Sequence, residues 1–162
     1  MATVDEFLPI LKLLAALGCG LIAGVFFAFS SFVMKAFARL PPAEGMAAMQ
    51  SVNVAVLNPV FLSVFMGTAA VSVLAIVFSW LRWNQPGAVY LLAGGLLYLI
   101  GTFLVTVVFN VPRNDALAAV APAAPESARL WASYLSSWTA WNHVRTAAAL
   151  AAAASFSLAL RH

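Results

Sequence analysis

The 162-residue chain is 64% hydrophobic and 8% charged, with eight Lys/Arg against five Asp/Glu and a formal net charge of +3. Soluble domains carry about 25% charged residues, so this chain, with a mean hydropathy of +0.99, has too few to cover a water-facing surface. The basic residues are scattered singly, which excludes a nucleic-acid patch and suits membrane-edge anchors; the lone Cys19 excludes an internal disulfide and a cysteine zinc cluster, and reads as a small packing residue.

The first apolar run spans about residues 7–37. It is too long for the core of a cleavable signal, and Asp5 and Glu6 stand where a basic start is expected, so it is read as a retained helix. Lys12 and Lys35, 23 residues apart, are separated by roughly 34 Å of helix. That is close to the hydrocarbon thickness of about 30 Å, so both are expected to snorkel to opposite interfaces. Gly20 and Gly24, at i and i+4, are read as a site of close helix approach. Pro41-Pro42 then breaks the helix. A short helix over about 43–56, with Met46, Met49 and Val56 on one face, is expected to lie on the membrane.

The second spanning helix is expected over about 59–83, starting at Asn58-Pro59 and ending in Trp80, Arg82 and Trp83. Asn84-Gln85-Pro86-Gly87 is a tight turn. The third helix is expected over about 88–109, stopping before Val111-Pro112, with a polar loop from Arg113 to Pro125. The fourth is expected over about 126–160, its stretch from about Trp141 crossing the membrane and its Trp-rich start protruding. No internal repeat is seen. The expected fold is an all-α membrane protein: one domain over 1–162, an antiparallel four-transmembrane-helix bundle with a short interfacial helix between helices 1 and 2.

Helix alternation gathers the polar residues at one end. Ser30, Ser31, Gln50, Asn53, Asn58, Thr106, Asn110, Arg113, Asn114, Asp115, Asn142, His143 and Arg145 all fall on that side. Polar groups in lipid must find partners or face a cavity, so the cluster reads either as a polar pocket or as helix caps and interfacial hydrogen bonds, with Asn58 and Asn110 as cap candidates. Trp131, Tyr134, Trp138, Trp141 and Arg145 form one stripe by 3-4 spacing. The stripe is either an aromatic belt or a wall for a flat ligand. His143 lies about 140° away from Trp138 at about 100° per residue. Arg145 is shallow enough to snorkel. No intramembrane carboxylate, second internal histidine, P-loop or nucleotide-binding glycine pattern is present, so no metal, cofactor or proton-coupled transport is expected. Lys35, Arg39, Arg113 and Arg129 outnumber Lys12, Arg82 and Arg161, a slight lean toward a cytoplasmic polar end.

The runs Gly24-Val-Phe-Phe-Ala-Phe-Ser-Ser-Phe-Val-Met34, Met49-Gln-Ser-Val-Asn53, Asn58-Pro59, Phe109-Asn-Val-Pro-Arg-Asn-Asp115 and Trp138-Thr-Ala-Trp-Asn-His-Val-Arg145 stand in this order. Together they resemble the anthrone oxygenase-like family of small four-helix membrane proteins, over nearly the whole chain. The chain looks like a bacterial branch of it, which implies a multi-pass protein of the inner membrane. The resemblance implies oxidation of a small aromatic, anthrone- or quinol-like compound by molecular oxygen without a cofactor. Such chemistry needs a base, donors for a developing oxyanion and an apolar pocket. His143 is the expected base, Asn110, Asn142 and Arg145 the expected oxyanion holders, and Trp138 and Trp141 the rings that stack on substrate. Asn58, Asn53, Gln50, Ser31 and Asn114 are expected to complete the binding wall. The alternative is a non-catalytic protein binding lipid or quinone, or an accessory subunit; self-association is left open.

Overall fold

The computed structural model describes the chain from Val4 to His162, and the side chains of Val4, Asp5 and Glu6 lie outside what is described. Every regular element among the described residues is helical. Helix α1 begins as Val4–Ala28, widens into a π turn at Phe29–Val33 and closes as Met34–Phe37. Helix α2 is Pro42–Ala55, and α3 is Pro59–Leu81. Helix α4 begins as Ala88–Leu96 and continues through π segments at Leu97–Leu104 and Thr106–Asn110 into Val111–Ala118. Helix α5 is Ser127–Ala159.

The chain is a membrane protein. Three helices, Phe7–Phe37, Pro59–Leu81 and Ala88–Ala118, are long and apolar enough to span a bilayer. Their outer faces carry bare apolar side chains such as Leu21, Phe32, Val60 and Val89, each more than 60% exposed. A surface of that kind is stable against lipid and would associate in water. Helix α5 falls outside this group, its first half carrying Ser, Thr, Asn, His and Arg among the apolar residues.

Contacts between neighbouring helices run in opposite order along the chain. Gly18 of α1 meets Thr68 of α3, and Phe7 meets Phe78. Along α4 and α5, Gly94 faces Phe156, Gly101 faces Ala148, and Thr102 bonds to the Arg145 carbonyl. Close approach therefore uses Gly18, Gly94, Gly95 and Gly101, where an added Cβ would collide with the facing helix. Gly20 and Gly24 face open space instead and bring no helices together.

Helix α4 runs to Ala118, past the expected stop at 109, so Arg113–Ala118 is helix and not loop. Pro112 has no N–H to donate and sits in the first turn of the Val111–Ala118 segment, where none is needed. The wider π turn just before it, in which Val111 N–H reaches back to the Thr106 carbonyl, carries the rod across the proline. The Arg113 guanidinium also donates to the Phe109 carbonyl at 2.6 Å.

The methionine face of α2 does not lie against lipid. Met46 and Met49 are fully buried, packed with Trp131, Tyr134 and Trp138 of α5. Those three rings stack on one another, so their stripe is a packed wall and no membrane belt. Gln50 ties α2 to the end of α4, donating to the Leu117 and Val120 carbonyls at 2.8 and 3.0 Å. At the far end, Lys12 does not snorkel; it is 6% exposed and packed in a small cleft with Arg82.

Candidate functional site

The polar residues that meet do so around Asn142 and Arg145, one turn apart on the inward face of α5. Asn142 is fully buried. Its amide nitrogen donates to the Phe26 carbonyl at 2.8 Å and to Ser30 Oγ at 2.7 Å, across to α1. Its amide oxygen accepts from Arg145 Nη2 at 2.7 Å. Ser30 also touches Thr146 Oγ1 at 3.0 Å. Arg145 Nη1 donates to Thr106 Oγ1 of α4 at 3.2 Å, and Thr106 donates on to the Thr102 carbonyl at 2.7 Å. One chain of hydrogen bonds thus couples α1, α5 and α4. Two of the π turns carry its anchors: Ser30 lies in the first and Thr106 in the third. Single π turns inside α-helices recur at functional sites.

Arg145 is 4% exposed and does not snorkel. Its guanidinium carbon lies 4.1 Å from the Phe26 ring centre and 5.0 Å from that of Trp138. Desolvated contacts of this kind contribute about 2 kcal/mol or more. Its hydrogen-bond partners are neutral, and no carboxylate pairs with it among the described residues. A buried cation normally demands a paired anion, so this one is left with charge to offer.

Beside it lies a cavity of about 120 Å³. Phe26 and Phe29 of α1, Met49 and Asn53 of α2, Phe61 and Phe65 of α3, Thr106 of α4, and Trp138 and Arg145 of α5 contribute to its wall. A cavity of roughly 150 Å³ is known to hold benzene, so this one takes about a single ring. Asn53, Val111 and Asn114 also line an outer groove of about 400 Å³ between α2 and the end of α4, giving a larger ligand room to extend. Asn114 is oriented by the Tyr134 hydroxyl, which donates to its oxygen at 2.8 Å.

The remaining expected site residues are placed elsewhere. His143 is exposed on the outer face of α5 and does not line the cavity. Trp141 stacks face to face on Phe109, with ring centres 3.6 Å apart, away from the cavity. Asn58 is a helix cap: its oxygen accepts from Phe61 N at 3.0 Å and its nitrogen donates to the Ala55 carbonyl at 2.9 Å. Asn110 does not cap. It is fully buried and donates to the Trp138 carbonyl at 3.3 Å, behind the cavity wall. Gln50 is the clamp described above, and Ser31 bonds back to the Phe27 carbonyl of its own helix at 2.7 Å. Sequence reasoning missed Phe26, Phe29, Phe65 and Met49 as wall residues. The i, i+4 pair Phe26 and Ser30 marks the inward face of α1, but nothing in an apolar run announces a π turn.

A family model described as anthrone oxygenase matches residues 60–155, more than half of the chain. The chain belongs to the anthrone oxygenase family. Comparison with curated proteins gives no match, and neither does comparison with solved structures. The family match takes in Thr106, Asn110, Trp138, Asn142 and Arg145 and leaves out α1 and α2. In this anthrone oxygenase family member, the part that the match leaves out supplies Phe26, Phe29, Met49 and Asn53 to the cavity wall and Ser30 to the hydrogen-bond chain behind it.

Proposed function

We propose that this protein is an oxygenase-like enzyme of the bacterial inner membrane, acting with molecular oxygen on a small aromatic compound of anthrone or quinol type. The observation that carries the reading is Arg145: a buried guanidinium without a carboxylate partner among the described residues, in the wall of an aromatic, one-ring cavity. Membership of the anthrone oxygenase family supports it. In this reading helices α1, α3, α4 and α5 all cross the bilayer, and α2 lies at the surface over the cavity. Cysteines introduced at Glu44 and Ala118, both exposed, should label from one side and Asn84 from the other. Any other pattern rejects this topology.

The chemistry follows from where negative charge develops. An anthrone loses a methylene proton to give a carbanion delocalised onto the carbonyl oxygen. Arg145 stabilises that oxygen, and Asn142 and Thr106 hold the guanidinium in place. The electron-rich ring system reduces oxygen directly, and the net change is anthrone plus O₂ to anthraquinone plus water. Among the described residues no imidazole or carboxylate lines the cavity itself, and the proton leaves by the groove beside Asn53 and Asn114, whose wall includes Asp115. Oxygen uptake by the purified protein against anthrones, phenols and quinols tests this. Uptake that is unchanged in Arg145→Gln would reject the site.

The same lack of a protein base supports a second reading, a non-catalytic protein that holds a quinone or lipid head, alone or as an accessory subunit. Saturable quinone binding with no oxygen uptake on any compound would select it.

A further inference from the structure

A residue that lines a cavity and is itself exposed marks where that cavity reaches the surface. Two wall residues do so, Val25 of α1 at 38% and Val111 of α4 at 40%. Val111 also lines the outer groove, so that opening leads to Gln50, Asn114 and Asp115. Val25 takes no part in the groove, and its opening lies elsewhere.

Helical pitch says where. Gly18 is the point at which α1 meets Thr68 of α3 so closely that an added Cβ would collide. Seven residues make about two helical turns, so Val25 repeats the face of Gly18, and on α3, running the other way, Phe61 repeats the face of Thr68. The two helices are shut together at Gly18 and Thr68. Two turns toward α2 the same register brings Val25 opposite Phe61, and there both line the cavity and neither is buried. The seam between α1 and α3 parts at that level.

Its surroundings are apolar. Leu21, one turn before Val25, and Val60, beside Phe61, are bare at 62% and 77%. Both helices are long and apolar enough to span a bilayer, so this opening faces hydrocarbon, whereas the groove carries the polar side chains suited to the water side. The cavity wall is divided in the same way. Helices α1 and α3 give it only Val and Phe side chains, while Thr106, Asn114 and Arg145 come from α4 and α5. The space takes about one ring, so a larger compound must leave part of itself in one of the two openings, and an apolar part goes to the seam.

We infer that the cavity takes a single-ring quinol or phenol dissolved in the bilayer, its polar edge toward α4 and α5 and an aliphatic chain passing between Val25 and Phe61 into the hydrocarbon. The inference rests on the cavity being the substrate site and narrows that reading: of the compound types proposed, α1 and α3 select the chain-bearing quinol, and it arrives from lipid instead of water.

The test uses a benzoquinone whose decyl chain carries a diazirine, with the full chain in phosphatidylcholine nanodiscs. The probe is activated by light and the labelled peptides are identified by mass spectrometry. The expected labelling saturates, is displaced by unlabelled decylbenzoquinone, and falls on α1 and α3 about Val25 and Phe61. Methylbenzoquinone and anthrone, at equal concentration in the lipid, should displace it at least roughly 10-fold less well. Val25→Phe, a change at a partly exposed position, should fill the opening and weaken saturable labelling roughly 10-fold. Val89→Phe, on the lipid face of α4 and outside the cavity wall, should leave it unchanged. Saturable labelling at Val54 or Ala118 would place the chain in the groove and overturn the inference. Equal competition by methylbenzoquinone or anthrone overturns it too, as does folded Val25→Phe that labels like the unaltered chain. Should Val25→Phe not fold, the label position in the unaltered chain still decides. Labelling that the unlabelled compound does not displace overturns the inference together with the proposed site. Saturable labelling at the seam with no oxygen uptake on any compound leaves it standing and removes the oxygenase reading alone.

Discussion

Toward the Asn84 turn, the bundle is filled by Leu11, Ile22, Tyr98 and Phe156 set against small residues. Its polar groups end on main-chain carbonyls: Tyr98 on Phe65 at 3.0 Å, Ser155 on Tyr90 at 2.9 Å, Ser79 on Ile76 at 2.7 Å. Toward α2, helices are joined by side chains bonded to side chains, and a cavity sits beside a buried cation that has no carboxylate partner among the described residues. The first arrangement satisfies what is buried, with Ser72 Oγ the exception; the second leaves donors open. Packing of the first kind gives stability, and the cavity of the second is room that a ligand can use.

Substitutions should separate the two ends. The largest effect is expected at the open end: Arg145→Gln should lower turnover about 10²–10³-fold at a smaller cost in stability, about 2 kcal/mol for the lost ring contacts to Phe26 and Trp138. A large loss of stability there would break the comparison. At the closed end, Phe156→Ala removes a fully buried ring against Gly94. It should cost about 3–5 kcal/mol of stability in detergent unfolding, with turnover per folded molecule unchanged.

Gly95→Ala probes close packing: an added Cβ would come within 2.6 Å of Ile76 and 2.9 Å of the Ser72 carbonyl. A loss of about 1–3 kcal/mol is expected. Asn142→Ala belongs to both ends. It strands Arg145 Nη2 and frees the Phe26 carbonyl, so a loss of about 1–3 kcal/mol should accompany a fall in turnover. Stability without that fall would uncouple the network from the cavity. The smallest effect is expected at exposed His143, where Gln should change stability by within about 0.5 kcal/mol and leave turnover intact. A large loss of turnover would return the base to His143 and sink the site drawn here.

Much of this was legible in local chemistry. Asn58 was recognisable as a cap because the residue, the following proline and the start of an apolar run agree. The 3-4 spacing of Trp131, Tyr134, Trp138 and Arg145 was recognisable as one stripe because it depends on helical pitch alone. The stripe's use was not, because a belt and a packed wall share one spacing, and burial under Met46 and Met49 decides between them. Spacing alone groups Trp141 with the stripe, yet it stacks on Phe109. Proline ends an ordinary α-helix, so Pro112 predicts a stop that α4 does not make, because the π turn before it lets the rod continue.

By itself the sequence determined a helical membrane protein and the end at which its polar groups gather, because hydropathy and helix alternation are properties of the chain. It also determined that Arg145 shares a face with Trp138 and that His143 does not. Only the tertiary structure decided which polar residues meet, since Ser30, Thr106 and Asn142 come from three helices whose rotations depend on packing at Gly18, Gly94, Gly95 and Gly101. It also decided that Arg145 is buried against Phe26 instead of reaching for water. A guanidinium snorkels when its helix faces lipid, and here α1, α4 and α2 close over that face first.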